Sequence, residues 1–204
     1  MINFLKKLNT AKLNRGMTYV ELIVVLSIFA TLSSVAIFNY GDFQARIDIR
    51  NLAGDIGLKI VEAQKAALSG TLPSLSQQAY LIPGWKPSYG VFFNLTQNNN
   101  YFIYFSDLDN SKAYSRNGCP NTECIDQITI TKSNFIEKIE SYVGSTPTLI
   151  TILSITFSRP DSGASFDLNT IPLTGVDYIK ITIKSPKGDT SFVKVYPSGR
   201  IEID

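Results

Sequence analysis

Apolar residues are not spread evenly along this 204-residue chain. Between Met17 and Phe38 a single charge, Glu21, interrupts a run of aliphatic, aromatic and small residues. As a helix rising 1.5 Å per residue, residues 17–38 reach roughly 33 Å, the thickness of a bilayer core. A carboxylate at the centre of a membrane helix costs up to about 3 kcal/mol, and less near the interface. The Leu, Ile, Val and Phe residues from Leu22 to Phe38, each worth very roughly −0.3 to −0.6 kcal/mol, cover that cost. The segment inserts and keeps its acid.

Beyond residue 38 the apolar pattern changes period without stopping. Phe43, Ile47, Ile49, Leu52, Ala53, Ile56, Ile60, Ala63 and Ala67 recur mostly at spacings of three and four, with charged residues lying largely off that stripe. Ser69, Gly70 and Pro73 then supply a stop. The spacing predicts one helix over residues 18–68, near 75 Å long at the same rise. Its first part, 17–38, is apolar all round, and its second, 39–68, is amphipathic and built to lie on a globular domain.

Residues 70–88, with Pro73, Pro83, Gly84 and Pro87, read as a loop. After them, short β-like runs are predicted at 89–94, 101–105, 125–131, 149–158, 176–184, 191–196 and 200–203. The alternation is clearest in Leu149, Thr151, Leu153, Ile155 and Phe157, and in Ile179, Ile181 and Ile183 set against Tyr178, Lys180, Thr182 and Lys184. Residues 133–143 stay ambiguous. Asn134 with Glu137 makes a capping box and Phe135, Ile139 and Tyr142 fit a helical stripe, yet strands flank the segment. The fold class is α+β: one long N-terminal helix on an antiparallel β domain over 69–204.

Composition and charge narrow the chemistry. With 44% apolar and 18% charged residues the chain buries a real core. Lys6, Lys7, Lys12 and Arg15 precede the apolar helix with no acid among them, which places the N-terminus in the cytoplasm and the rest outside. There is no His, so Ser-His-Asp and Cys-His catalysis and His-ligated metals are excluded by count. The two cysteines, Cys119 and Cys124, are too few for a structural zinc. Outside the cytoplasm they read as a disulfide, with free or otherwise paired thiols as the alternative. Asp107, Asp109 and Asn110 have the every-other-residue oxygen spacing of calcium loops, but the Gly is missing and Glu123 is distant in sequence. An Asx-rich turn is the plainer account. Lys180, Lys184, Lys194 and Arg200 would form a positive stripe for DNA if they share one sheet face. Against this, the chain from Ser69 onward has eleven Lys and Arg to twelve Asp and Glu, and a solvated sheet face is the default.

An ordinary secretory signal has a shorter apolar run and a small-residue cleavage site, and neither it nor a plain one-pass anchor accounts for Gly16 and Glu21 at this spacing. A short basic leader ending in Gly16, then Met17, Thr18, Glu21 and an apolar helix resembles the class III signal of type IV pilins and type II secretion pseudopilins. The resemblance implies that a membrane-embedded prepilin peptidase cuts between Gly16 and Met17 and methylates the amino group of Met17. It implies too that Glu21 faces the amino terminus of a neighbouring subunit when helices bundle into a filament. Cutting there would take the side-chain charge from +2 to −2, since four cations and no acid leave with the leader 1–16.

Two features depart from that pattern: the first mature residue is Met17 where the family usually has Phe, and its late Pro is missing, with Phe38 near the place. Gly41, beside Asn39 and Asp42, is then the expected weak point of the helix. The pieces LAGDIGLKIVEAQKAALSG, YGVFF, YFIYFSDLDN and SGRIEI are similar to the GspH/FimT type of minor pseudopilin and minor pilin. The resemblance implies a pilin-like α+β fold and a structural subunit of a pilus or pseudopilus, not an enzyme. Its expected partners are the prepilin peptidase, other subunits met through the helix, the inner-membrane assembly platform and the membrane. No cofactor, metal or nucleic acid is expected. The alternative is a membrane-anchored DNA-uptake or adhesion module using the same helix.

Overall fold

The computed structural model describes residues 16–204 except 85, 115–118 and 120–122, and the side chains of 36, 38 and 39 are also outside the description. The leader before Gly16 and the side chains of Phe38 and Asn39 therefore lie outside the described residues. The chain divides between Gly41 and Asp42 into two compact units.

One helix, α1 (Tyr19–Ser69), belongs to both units and is helical throughout, Gly41 included. Its described residues before Asp42 are nearly all exposed, and this is the one described helix long and apolar enough to cross a membrane. From Ile49 onward the predicted stripe is buried at Ile49, Ala53, Ile56, Ile60, Ala63 and Ala67, with Leu52 half-buried against the same core. Phe43, 61% exposed, falls outside it. The helix ends where the sequence stops it. Gly70 takes φ +66, Thr71 N–H reaches back to the Ala66 carbonyl at 3.2 Å, and Arg159 Nε donates to the Ala67 carbonyl at 2.9 Å. A cation there also meets the negative end of the helix dipole.

A short helix, α2 (Leu75–Gln78), interrupts the predicted loop. Eleven antiparallel strands come after it: β1 (Ser88–Asn94), β2 (Tyr101–Asp107), β3 (Cys124–Thr129), β4 (Phe135–Val143), β5 (Thr146–Ile150), β6 (Ile152–Phe157), β7 (Ala164–Leu168), β8 (Ile171–Leu173), β9 (Tyr178–Lys184), β10 (Thr190–Val195) and β11 (Ile201–Ile203). They form a six-stranded sheet in the order β3-β2-β1-β6-β7-β8 and a five-stranded sheet in the order β11-β10-β9-β4-β5. The fold is α+β, with the long N-terminal helix packed by its second half on antiparallel sheets.

Pairing settles one segment that the sequence leaves ambiguous and splits another that reads as a single run; β7 and β8 carry no clear sequence signal. Residues 135–143 are strand, not helix: β4 is hydrogen-bonded between β5 and β9, and a bulge between Ile136 and Lys138 sets Glu137 aside from the ladder. Tertiary pairing here overrides the helical stripe. The run 149–158 is two strands, not one. A bend at Thr151 sends β5 to one sheet and β6 to the other, so Leu149 is exposed although Leu153, Ile155 and Phe157 are fully buried.

One continuous core joins the α1 stripe to the inner residues of both sheets, among them Tyr89, Val91, Phe93 and Phe102 on one and Ile139, Ile179, Ile181 and Val193 on the other. Each such side chain fully buried contributes about 1.5–3 kcal/mol. At Gly57 the helix approaches so closely that a Cβ would lie 2.5 Å from Ile203. Among the described residues every buried core residue lies at or beyond Ile49, so a chain beginning at Asp42 keeps all of that core and is expected to fold on its own. A second, smaller cluster, Phe92, Ile103, Phe105 and Tyr114, covers the outer face of the six-stranded sheet, with Cys119 and Cys124 packed against it.

Candidate functional site

Gly16 and Met17 are exposed and precede the helix, so the bond between them lies in non-helical chain. Thr18 caps α1: its carbonyl accepts the N–H of Leu22 at 3.1 Å and its hydroxyl oxygen accepts the N–H of Glu21 at 3.3 Å. This satisfies one of the open donors of the first turn. Glu21 therefore sits in the first turn, where the helix dipole favours an acid. The sequence T-Y-V-E carries the same signal as a capping pair, which the prepilin-like spacing overshadows.

The second constellation lies at the end of β2. Asp107, Asp109 and Glu123 place carboxylate oxygens within 4.8 Å of one another. Sequence spacing groups Asp107 with Asp109 and Asn110 and leaves Glu123 distant. Antiparallel pairing of β2 with β3, continued by Ser106 N–H on the Glu123 carbonyl at 2.9 Å, closes that distance. Asn110 holds the turn at φ +62. Asp107 is fully buried and accepts the N–H groups of Ser111 and Lys112, both at 3.1 Å. Glu123, 2% exposed, accepts Leu108 N–H at 3.4 Å. The trio offers three oxygens toward the six to eight that calcium takes. Beside it Cys119 and Cys124 are joined as a disulfide with Cα atoms 5.6 Å apart, the state expected of them outside the cytoplasm.

Burial, then the hydrogen-bonded Asp109 and the Glu123 charge, push the Asp107 pKa up to about 7. The native state thus holds a proton that the unfolded chain releases near pH 4. Stability from this group is complete below pH 4 and is lost as pH rises through 7, by a few kcal/mol at about 1.4 per unit. Asp42, Asp48 and Glu202 have lowered pKa values, each held down first by a lysine hydrogen bond, so they are ionised throughout this window and contribute no slope. The chain 42–204 should melt lower at pH 8 than at pH 5.5, and Asp107→Asn should reduce that difference, leaving the part due to Asp167, whose pKa burial also raises. Equal slopes in both proteins would remove Asp107 as its source.

The third constellation is the outer face of the five-stranded sheet. Lys180 and Lys184 on β9 and Lys194 on β10 share this face, with Arg200 just before β11, so the neighbours expected from the sequence do meet. They are not a free positive stripe. Lys184 pairs with Glu137 at 2.5 Å, Lys194 with Glu202 at 3.0 Å and Arg200 with Glu202 at 3.9 Å. Lys180 lies over the Phe192 ring, 4.5 Å from its centroid. Tyr142, Tyr178 and Tyr196 stand in a row across β4, β9 and the end of β10, centroids 4.6 and 5.6 Å apart, and Arg200 closes the row over Tyr196 at 3.8 Å. Tyr142 and Tyr178 stack on each other and Arg200 covers Tyr196, which leaves few open faces for a base, and these acids offset much of the phosphate attraction.

Three places thus carry chemistry: an accessible bond and an acid at the start of an apolar helix, a buried carboxylate trio, and a self-paired cation and tyrosine face. No family model, no curated protein and no solved structure matches the chain.

Proposed function

We propose that this chain is a prepilin-like structural subunit, cleaved after Gly16 and assembled through α1 into a type IV pilus or type II secretion pseudopilus as a minor or tip component. The observation that carries the reading is α1 itself: 51 helical residues whose apolar first part is exposed, with Glu21 in the first turn, and whose second part belongs to a domain core. An apolar helix face left exposed needs lipid or other helices to cover it. Cleavage creates a positive amino terminus at Met17, and in low dielectric Glu21 of a neighbouring helix selects the axial register by pairing with it.

In this reading the chain begins as a single-pass inner-membrane protein with a cytoplasmic N-terminus and its β domain outside. The prepilin peptidase and the assembly platform act on it in turn, and the role is mechanical. The ion-paired outer sheet face gives the DNA-uptake alternative no specific support. Intact mass and N-terminal sequencing of the chain expressed with a prepilin peptidase test the proposal. The expected mature chain starts at Met17 with one added methyl group, and Gly16→Arg leaves the leader in place. An unprocessed wild-type chain, or a cut elsewhere, would overturn it.

A further inference from the structure

A cavity of about 540 Å³ opens where β7 and β8 meet the turn between β10 and β11. Its size lies within the range of sites for small molecules. Phe166, Leu173, Val176 and Pro197 give it an apolar wall, and Phe166 and Val176 are almost fully buried. Pro197 is held in place by its carbonyl, which accepts Ala164 N–H at 2.9 Å.

The polar side has a definite sign. Lys112 lines the cavity, is exposed, and forms no ion pair with a described residue. The cavity's one carboxyl, Asp167, is 4% exposed and turned onto Thr170 N–H at 2.5 Å. Burial raises its pKa, and the Thr170 N–H that it accepts takes up part of its charge. Lys112 and Thr170 both hold left-handed backbone, φ +58 and +76, an uncommon state for a lysine and a costly one for a β-branched residue. At Thr170 it is set by the two-residue turn from β7 to β8, in which Asn169 also takes positive φ.

We propose that this cavity binds a small amphipathic monoanion, its aliphatic body against Phe166, Leu173, Val176 and Pro197 and its charged head on Lys112. Each methylene buried is worth about fourfold in affinity, so the site discriminates by chain length as well as by charge.

The test is an amide chemical-shift titration of the chain 42–204 with sodium octanoate, sodium butanoate and heptyltrimethylammonium. Octanoate should shift the amides of residues 112 and 164–176, butanoate should bind at least about tenfold more weakly, and the cation of equal tail length should also lose about tenfold. Lys112→Glu should reverse the preference between octanoate and the cation. Thr174→Trp, at the exposed rim, should block both while the remaining amides keep their dispersion. The proposal is overturned by unchanged amides at about 20 mM octanoate, by equal binding of anion and cation, or by octanoate binding that survives either variant undiminished.

Discussion

Glu21→Ala is expected to abolish filaments while leaving cleavage after Gly16 intact. The two outcomes separate because they draw on different parts of the same short stretch. Cleavage needs the non-helical Gly16–Met17 bond, and Glu21 lies beyond it in the first helical turn. Its backbone N–H is capped by Thr18, and that bond survives the loss of the side chain. In the filament that we propose, the substitution would leave a positive amino terminus in low dielectric without its partner. Breaking a buried pair from one side costs about 3–5 kcal/mol, or roughly 100- to 4,000-fold in the equilibrium of subunit addition. Glu21→Gln, which keeps the shape and loses the charge, should behave nearly as badly. Counting sheared filaments by electron microscopy beside N-terminal sequencing gives both readouts. Normal filaments from either variant would refute the register role, and a block in processing would place Glu21 in peptidase recognition instead.

Gly90→Val should unfold the β domain. Gly90 is in β1, a central strand paired with β2 and β6, and its neighbours Tyr89 and Val91 point into the main core. On the other face a Cβ at position 90 would lie 2.4 Å from the Ile155 carbonyl oxygen and 2.8 and 2.9 Å from two Phe105 ring atoms. The ring can turn only by leaving Tyr114, 5.3 Å away between centroids, and the carbonyl belongs to the backbone of a paired strand. Glycine in a strand interior usually weakens it, but here it makes room for the smaller cluster over the outer face. Overpacking against backbone costs about 3 kcal/mol or more, a large part of a typical 5–15 kcal/mol. The chain 42–204 carrying Gly90→Val should lose its cooperative melt, with Gly90→Ala intermediate. A melting temperature within about 5 °C of the parent protein for the valine variant would show the close approach to be wrong.

Much of the fold is legible in the sequence because its patterns are local. The α1 stripe is readable from its period, with its stop at Ser69 and Gly70, and Ile179, Ile181 and Ile183 are readable from theirs. Other features are not. Residues 135–143 carry a capping pair and a helical stripe, and only pairing to β5 and β9 makes them a strand. The alternation through 149–158 is unbroken in sequence, yet the bend at Thr151 changes which face is inside. No spacing rule reports such a crossing between sheets.

The helix, its apolar half, the place of Glu21 and the α+β class are legible in the amino-acid order alone, because these depend on period and charge along a few turns of chain. Tertiary structure decided which charges meet. It brought Glu123 to Asp107 and Asp109 through the β2 and β3 register, and gave Lys184, Lys194 and Arg200 acidic partners on the same face. It also formed a cavity from residues 111–112, 164–176 and 197, which lie far apart in sequence. Coulomb and hydrogen-bond energies fall off over a few ångströms, and distance in space between residues so separated in sequence is set only when the sheets close.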